Sequence, residues 1–337
     1  MNVFMIGGTG LLGSAAAAEL IARGHQVSSV ALPPLPQGAV LPNGLHLTFA
    51  NYLEMSDDEL ARCLSGCDGF IFAAGVDERV EGPAPIADLY RKYNIDPLKR
   101  LLPLAKKQGV KHVVVLGSYF AYFDKLWPEK RLSSWHPYIK SRREQEDVCL
   151  SFADDQFDVA VLELPYIFGT QPGRKPVWVF LVQYIRSMKL ATFYPRGGTT
   201  MVTVTQVAQA VAGAVERNRG GNCYPIGWYN MRWKELLAII QRYLGVPGRK
   251  IITIPDWMFT LAGKRLRKQQ QAHHIDGGLN LAKLADIQCA ELFIDKSLGC
   301  EPLGVLPDDM EKAIGESIKL CVDVMEKRVE TVGMRGE

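Results

Sequence analysis

Gly7-Gly8-Thr9-Gly10-Leu11-Leu12-Gly13 stands directly after the apolar run Val3–Ile6 and opens a helical stretch from about Leu11 to Arg23, which stops at Gly24. A tight strand-to-helix turn needs backbone angles that residues with a Cβ avoid. A dinucleotide pyrophosphate must also come close to the backbone and to the positive end of the helix. Glycine spacing alone is a weak signal. In strand–loop–helix context at the start of the chain, it constrains the fold more than any other feature. The competing reading is a tight turn that binds nothing.

The rest of the first half repeats the same rhythm. Of the short apolar runs at Val27–Leu32, Leu45–Phe49, Phe70–Ala73, Val113–Leu116 and Val159–Leu164, most lack polar alternation, as strands buried on both faces should. Helical stretches separate them, one beginning at Ser56 with Glu59 at capping-box spacing. The alternation predicts an α/β fold: a doubly wound parallel sheet (Rossmann) with a smaller, mostly helical C-terminal substrate domain. After about Pro165 the regularity breaks, and it returns as a strand-then-helix pattern at Met201–Arg217 and a short strand at Cys223–Ile226. The expected division is a dinucleotide-binding domain at 1–165, with 200–227 returning to it, and a substrate domain at 166–337.

Composition narrows the function classes. Of 337 residues, 47% are hydrophobic and 22% charged, which excludes disordered, collagen-like and coiled-coil chains. A net charge of +3 gives no sign of nucleic acid or an anionic membrane as partner. Seven cysteines without paired short spacings fit a reducing compartment. No run approaches the roughly 18 uncharged apolar residues of a spanning helix. Leu11–Ala18 looks like a signal-peptide core, but no basic residue precedes Arg23, so the expected location is cytoplasmic.

The glycine spacing is Gly7-x-x-Gly10-x-x-Gly13, and further segments agree in order. Cys67-Asp68-Gly69-Phe70-Ile71-Phe72-Ala73-Ala74-Gly75 looks like a fourth strand whose small residues pass beneath a cofactor. Asn94 lies in the next helix, and Val110–Ser118 reads as a fifth strand ending in serine. Leu162-Glu163-Leu164-Pro165-Tyr166-Ile167-Phe168-Gly169, Met201–Ala208 and Leu298-Gly299-Cys300-Glu301-Pro302 complete the series. Together they resemble the extended branch of the short-chain dehydrogenase/reductase superfamily, the NAD-dependent epimerases and dehydratases, over nearly the whole chain. The resemblance implies that a nicotinamide cofactor contacts Gly7, Thr9, Gly10, Leu11, Leu12, Gly13, Asn51, Tyr52, Ala73, Ala74, Gly75, Asn94, Leu116, Gly117, Tyr138, Arg142, Pro165 and Ile167. It further implies a homodimer in which helices near Asp88–Gln108 and Tyr138–Phe152 supply a four-helix contact. No metal is implied.

The second strand decides between the two nicotinamide cofactors in most such folds, because an acidic residue at its end accepts hydrogen bonds from the adenosine ribose. Here that position is about Ala31, followed by a rigid loop at Pro33–Pro36. No basic residue for a 2′-phosphate lies between Arg23 and Arg62. The balance leans to NAD over NADP, since an unpaired 2′-phosphate costs more than a missing ribose contact.

The resemblance also implies a Tyr-x-x-x-Lys pair and a serine as catalysts. Tyr138-Ile139-Lys140-Ser141-Arg142, with Glu146 following, matches except that Arg142 holds the lysine position. At about 100° per residue, position i+4 returns to within roughly 40° of the tyrosine's face, whereas Lys140 at i+2 points roughly 200° away. Arg142 is therefore the spatial substitute. Arginine keeps the charge that favours a phenolate but is planar and does not relay protons. The assignment is Tyr138 as acid/base, Ser118 as its hydroxyl partner and Arg142 as the cation.

On the substrate side, Thr199-Thr200 takes the place of the Arg-Asp that nucleotide-sugar members carry; Arg196, Arg174 or Lys175 could reach a phosphate instead, but each reads first as a solvated loop residue. Trp178, Phe180, Tyr184, Phe193, Tyr194, Trp228 and Tyr229 read as second-domain core in preference to an apolar pocket. Cys63 and Cys67 lack the second pair a zinc site needs. His136, His273 and His274 read as loop or helix-surface residues, and Lys264–Lys268 as a solvated helix face. The expectation is an NAD(P)-dependent epimerase/dehydratase-like oxidoreductase acting on a hydroxyl or ketone carbon of a small-molecule substrate, possibly a nucleotide sugar. The rival, motivated by Arg142, is a non-catalytic NAD(P)-binding sensor or scaffold.

Overall fold

The computed structural model describes residues 1–33, 35 and 38–331. Of the Pro33–Pro36 loop, Pro34 and Pro36 lie outside the described residues. The first half runs β1 (Asn2–Ile6), α1 (Leu11–Ala22), β2 (Gln26–Ala31), β3 (Leu45–Phe49), α2 (Asp57–Leu64), β4 (Gly69–Phe72), β5 (Glu81–Pro83), α3 (Ala87–Tyr90), a π-helical turn (Arg91–Ile95), α4 (Asp96–Lys107), β6 (His112–Leu116), α5 (Tyr119–Leu126), α6 (Leu132–Trp135), α7 (Pro137–Leu150) and β7 (Asp158–Glu163). The second half runs β8 (Tyr166–Phe168), α8 (Val179–Ser187), β9 (Ala191–Pro195), β10 (Gly198–Thr203), α9 (Val204–Arg217), β11 (Gly221–Pro225), β12 (Tyr229–Arg232), α10 (Trp233–Tyr243), β13 (Lys250–Ile254), α11 (Asp256–Ala272), β14 (Ile275–Gly277), α12 (Ala285–Gln288), β15 (Glu291–Leu292) and α13 (Met310–Met325).

The main sheet has seven parallel strands in the order β11-β7-β6-β4-β1-β2-β3, the doubly wound arrangement. Its central strands are covered on both faces, which is why Val113, Val114 and Val115 follow one another without polar alternation. On one face Ala16, Ala17 and Leu20 of α1 pack with Val207, Ala210, Val211 and Ala214 of α9. The small side chains let these two helices lie close together over the sheet. On the other face Leu60 and Leu64 of α2 join Leu98, Leu101, Leu102 and Ala105 of α4. Ser56 and Glu59 form the capping box expected at the start of α2.

The chain crosses between layers after β7. β8 pairs with β10, and β10 with β12 and β15, in a second sheet, whereas α9 and β11 complete the first. A separate core gathers Phe168, Leu181, Val182, Leu236, Leu237 and Ile314 from β8, α8, α10 and α13, with Trp178 just before α8. A fourth cluster, containing Tyr90, Tyr119, Phe120, Tyr138 and Ile287, fills the seam between these layers. The short hairpin-like pair β5–β14 closes over that seam.

Candidate active site

The glycine loop lies at the C-terminal ends of β1 and β4, where doubly wound sheets bind ligands. Gly7 has φ +93°, and a Cβ there would sit 2.6 Å from the Ala73 carbonyl oxygen. A Cβ on Gly13 would meet the Gly7 carbonyl at 2.1 Å, so the helix closes onto the loop only with glycine. Gly10 N–H donates to Gly7 O at 3.0 Å. Helix α1 begins with no side-chain cap and no acidic residue in its first turn. Its first amides are thus kept for an external anion, and these features fit the pyrophosphate of a dinucleotide.

Beside this loop, Ala73, Ala74 and Gly75 leave β4 for the next segment. Asn94 braces that segment: its Oδ1 accepts from Val76 N–H at 2.9 Å, and its Nδ2 donates to Val76 O at 3.1 Å. The asparagine sits in the π-turn that leads into α4, and Gln145 Nε2 donates to the Asn94 carbonyl at 2.8 Å. Both polar ends of Asn94 are engaged by Val76, so its role is to position the loop. Asn51 is engaged too, through Glu54 and the Leu53 amide, while Tyr52 packs edge-on against Phe72.

Ser118, Tyr138 and Arg142 come together. Ser118 caps α5 by accepting from Phe120 N–H, and its hydroxyl acts on the Tyr138 phenol, whose pKa it pulls down. Arg142, one turn on from Tyr138, places its guanidinium carbon 5.1 Å from the centre of the tyrosine ring. Its NH1 donates to Leu116 O at 3.3 Å and Gln145 Oε1 at 2.8 Å, and its NH2 donates to Val76 O at 3.3 Å. Arg142 is buried, and Nε has no partner among the described residues. Burial pushes the Tyr138 phenol above its ordinary pKa, while Arg142 and Ser118 pull the other way. Lys140 is exposed, on the far side of the helix. Gly117 sits tight on β7, where a Cβ would lie 2.8 Å from Val161. Pro165 and Ile167 follow β7, and Ile167 O accepts from the Trp178 indole.

Gly278 O accepts from Tyr138 N–H at 2.9 Å, and a Cβ on Gly278 would collide with the Tyr90 hydroxyl. The C-terminal segment therefore forms the roof of the site. His136 anchors it: its Nδ1 accepts from Asn280 N–H at 2.9 Å. This corrects the surface reading of His136, which is fully buried, and burial drives its pKa down to about 4. No spacing in the sequence announces a partner 144 residues away.

Other expectations on the substrate side need correction. Thr199 and Thr200, which stand where the resemblance expects Arg-Asp, are buried, and Thr199 hydrogen-bonds the Tyr119 hydroxyl at 3.0 Å. Arg196 makes a bidentate pair with Asp256. Arg174 donates to the Thr9 carbonyl, on the glycine loop. Trp178 is core, but Phe180, Tyr184 and Phe193 are exposed because α8 and β9 form an outer edge. No cluster of metal ligands occurs among the described residues.

Sequence reasoning missed Glu78, Gln145 and Tyr90. Glu78 follows Gly75 in the same loop, and burial together with Asp77 raises its carboxyl pKa. Gln145 lies three residues beyond Arg142, a helical neighbour whose signal was present in the spacing. Tyr90 packs edge-on to Tyr138 at 5.5 Å and donates to Asp77 O.

Residues 7–167 match the family model described as NAD(P)H-binding. No curated protein sequence matches the chain. Among solved structures, gox2253 shares 20% identity over 97% of this chain and 99% of its own, with a TM-score of 0.73. A nucleoside-diphosphate-sugar epimerase from Pseudomonas aeruginosa shares 17% over 96% and 98%, with a TM-score of 0.69. The enzyme WbmH of Bordetella bronchiseptica, solved with NAD+, shares 16% over 95% and 97%, with a TM-score of 0.66. No described helix is long and apolar enough to cross a membrane. The doubly wound sheet, the glycine loop and the family match together give residues 7–167 the fold and loop of an NAD(P)H-binding unit.

Proposed function

We propose that the chain is an NAD(P)-dependent epimerase or oxidoreductase that works on a hydroxyl or ketone carbon, with Tyr138 as acid/base. The observation that carries this is the meeting of Ser118, Tyr138 and Arg142 beside the glycine loop and beneath the Gly278 roof. The nicotinamide, when bound, accepts or supplies a hydride at the substrate's carbinol carbon. Tyr138 takes the hydroxyl proton in the oxidising direction and returns it in the reducing one. Ser118 donates to the substrate oxygen or to the phenolate and so fixes their relative position. Arg142 supplies the positive charge that makes the phenolate accessible in a buried site. The roof excludes water through Gly278, Tyr90 and Asn280.

The substrate class we assign is a nucleotide sugar. The support is the whole-chain likeness to a nucleoside-diphosphate-sugar epimerase. We further assign residues 166–337, apart from 200–227 that return to the first sheet, as the substrate-binding domain, a homodimer contact to α4 and α7, and a cytoplasmic location, in keeping with seven free cysteines. The test is to purify the protein, measure NAD and NADP binding, and assay nucleotide sugars with wild type and Tyr138→Phe. The expected result is turnover lost by about 10²–10⁴-fold with cofactor affinity kept. Undiminished turnover in Tyr138→Phe rejects the mechanism.

A further inference from the structure

The segment after β8 reaches back across the molecule to the cofactor side. At its start Gly169 N–H donates to Ser317 Oγ of α13 at 2.9 Å, and a Cβ on Gly169 would strike Val204. Beyond that anchor the chain turns, with Arg174 N–H donating to Gln171 O. Two side chains then converge on one acceptor in the glycine loop. Gln171 Nε2 and Arg174 NH2 each donate to the Thr9 carbonyl at 3.1 Å, and Arg174 Nε donates to Gln171 Oε1 at 2.9 Å. Gln171 is almost fully buried, and Arg174 is half-buried.

Arg174 has no carboxylate partner among the described residues, unlike Arg23, Arg100, Arg143, Arg196 and Arg232, which all have one. Withdrawing a guanidinium from water without an anion is costly, and burial accordingly lowers its pKa. The cost is tolerated where an anion arrives from outside. The nearest place built for one is the same loop, whose helix begins without cap or acid. A guanidinium bridges two phosphate oxygens in a way a neutral side chain does not.

Resting on the dinucleotide-binding reading, we propose that Arg174, held in place by Gln171, is the counter-cation for the cofactor's pyrophosphate, and that residues 169–174 form a strap tying the substrate layer to the bound dinucleotide. The strap then couples the two layers: occupancy of the glycine loop supplies the charge that holds the second layer's first loop against it.

The test measures equilibrium affinity by calorimetry, independent of turnover, for NAD, ADP-ribose, adenosine and UDP, in wild type, Arg174→Ala, Arg174→Lys and Gln171→Ala. The expected result is that Arg174→Ala weakens NAD and ADP-ribose by at least tenfold and leaves adenosine unchanged. Arg174→Lys should recover part of the loss, and the wild-type affinity for ADP-ribose should fall with added salt. Unchanged or tighter ADP-ribose binding in Arg174→Ala overturns the proposal, tighter binding meaning that the arginine plugs the loop. Loss of UDP binding with ADP-ribose intact overturns it in favour of a substrate diphosphate. Failure of wild type to bind either NAD or ADP-ribose overturns the dinucleotide reading itself and the strap with it.

Discussion

The guanidinium of Arg142 lies against the ring of Tyr138, 5.1 Å from its centre, and is held there by the carbonyls of Leu116 and Val76 and by Gln145. It is a charge clamped by neutral acceptors, with no ion pair to a carboxylate among the described residues, although Glu78 lies near enough to feel its charge. Its field therefore acts on the phenol. Replacing it with methionine should move the alkaline titration of Tyr138, read by ultraviolet difference spectra, upward, and should lower turnover by about 10²-fold. Arg142→Lys should retain part of the rate through its charge and lose part through the broken hydrogen bonds. An Arg142→Met enzyme as fast as wild type would remove the arginine from the mechanism.

Asn94 satisfies both backbone groups of Val76, which is buried. Asn94→Ala leaves these groups short of partners, at a cost of about 1–3 kcal/mol. Urea unfolding should show the loss. Because Val76 O also helps hold Arg142, the Arg142→Met and Asn94→Ala effects on rate should not add.

His136 titrates at about 4 in the folded protein, against 6.5 in the unfolded chain. The unfolded chain therefore takes up the proton first. The stabilisation is complete above pH 6.5 and is lost as pH falls toward 4, by up to roughly 3 kcal/mol. His136→Asn keeps an acceptor for Asn280 without titrating there. Its melting temperature should change less between pH 6.5 and 4 than that of wild type. Parallel curves for the two proteins would refute this.

Glu163 behaves in the opposite sense. Burial and the adjacent Glu146 push its pKa up to about 8 from 4.5, although Lys125 lies 2.9 Å away. Its contribution is present below pH 4.5 and is lost as pH rises through 8. Glu163→Gln, which stays neutral, should be more stable than wild type at pH 9. Wild-type superiority at pH 9 would show that the ionised pair with Lys125 outweighs the repulsion.

Gly13→Ala tests the loop. The added methyl would meet the Gly7 carbonyl at 2.1 Å, so the helix must move away from β1. The expected cost is about 1–3 kcal/mol in unfolding free energy, together with weakened NAD binding. Denaturant titration and calorimetry read the two effects separately.

The main sheet was legible because burial on both faces imposes continuous apolar runs. Val113–Leu116 and Val159–Leu164 are each recovered to within a residue or so. The glycine loop was legible for a similar reason, since steric exclusion of a Cβ is written directly into residue type. The Tyr138–Arg142 pair followed from the family resemblance, with helical spacing selecting Arg142 over Lys140. What only the tertiary structure decided are contacts between segments far apart in the chain. The bond from Asn280 to His136, the roof of Gly278 over Tyr138 and the reach of Arg174 to Thr9 leave no periodic trace. Local periodicity records what each segment buries. It does not record which distant segment does the covering, because that depends on how the layers pack and not on the residues' order along the chain.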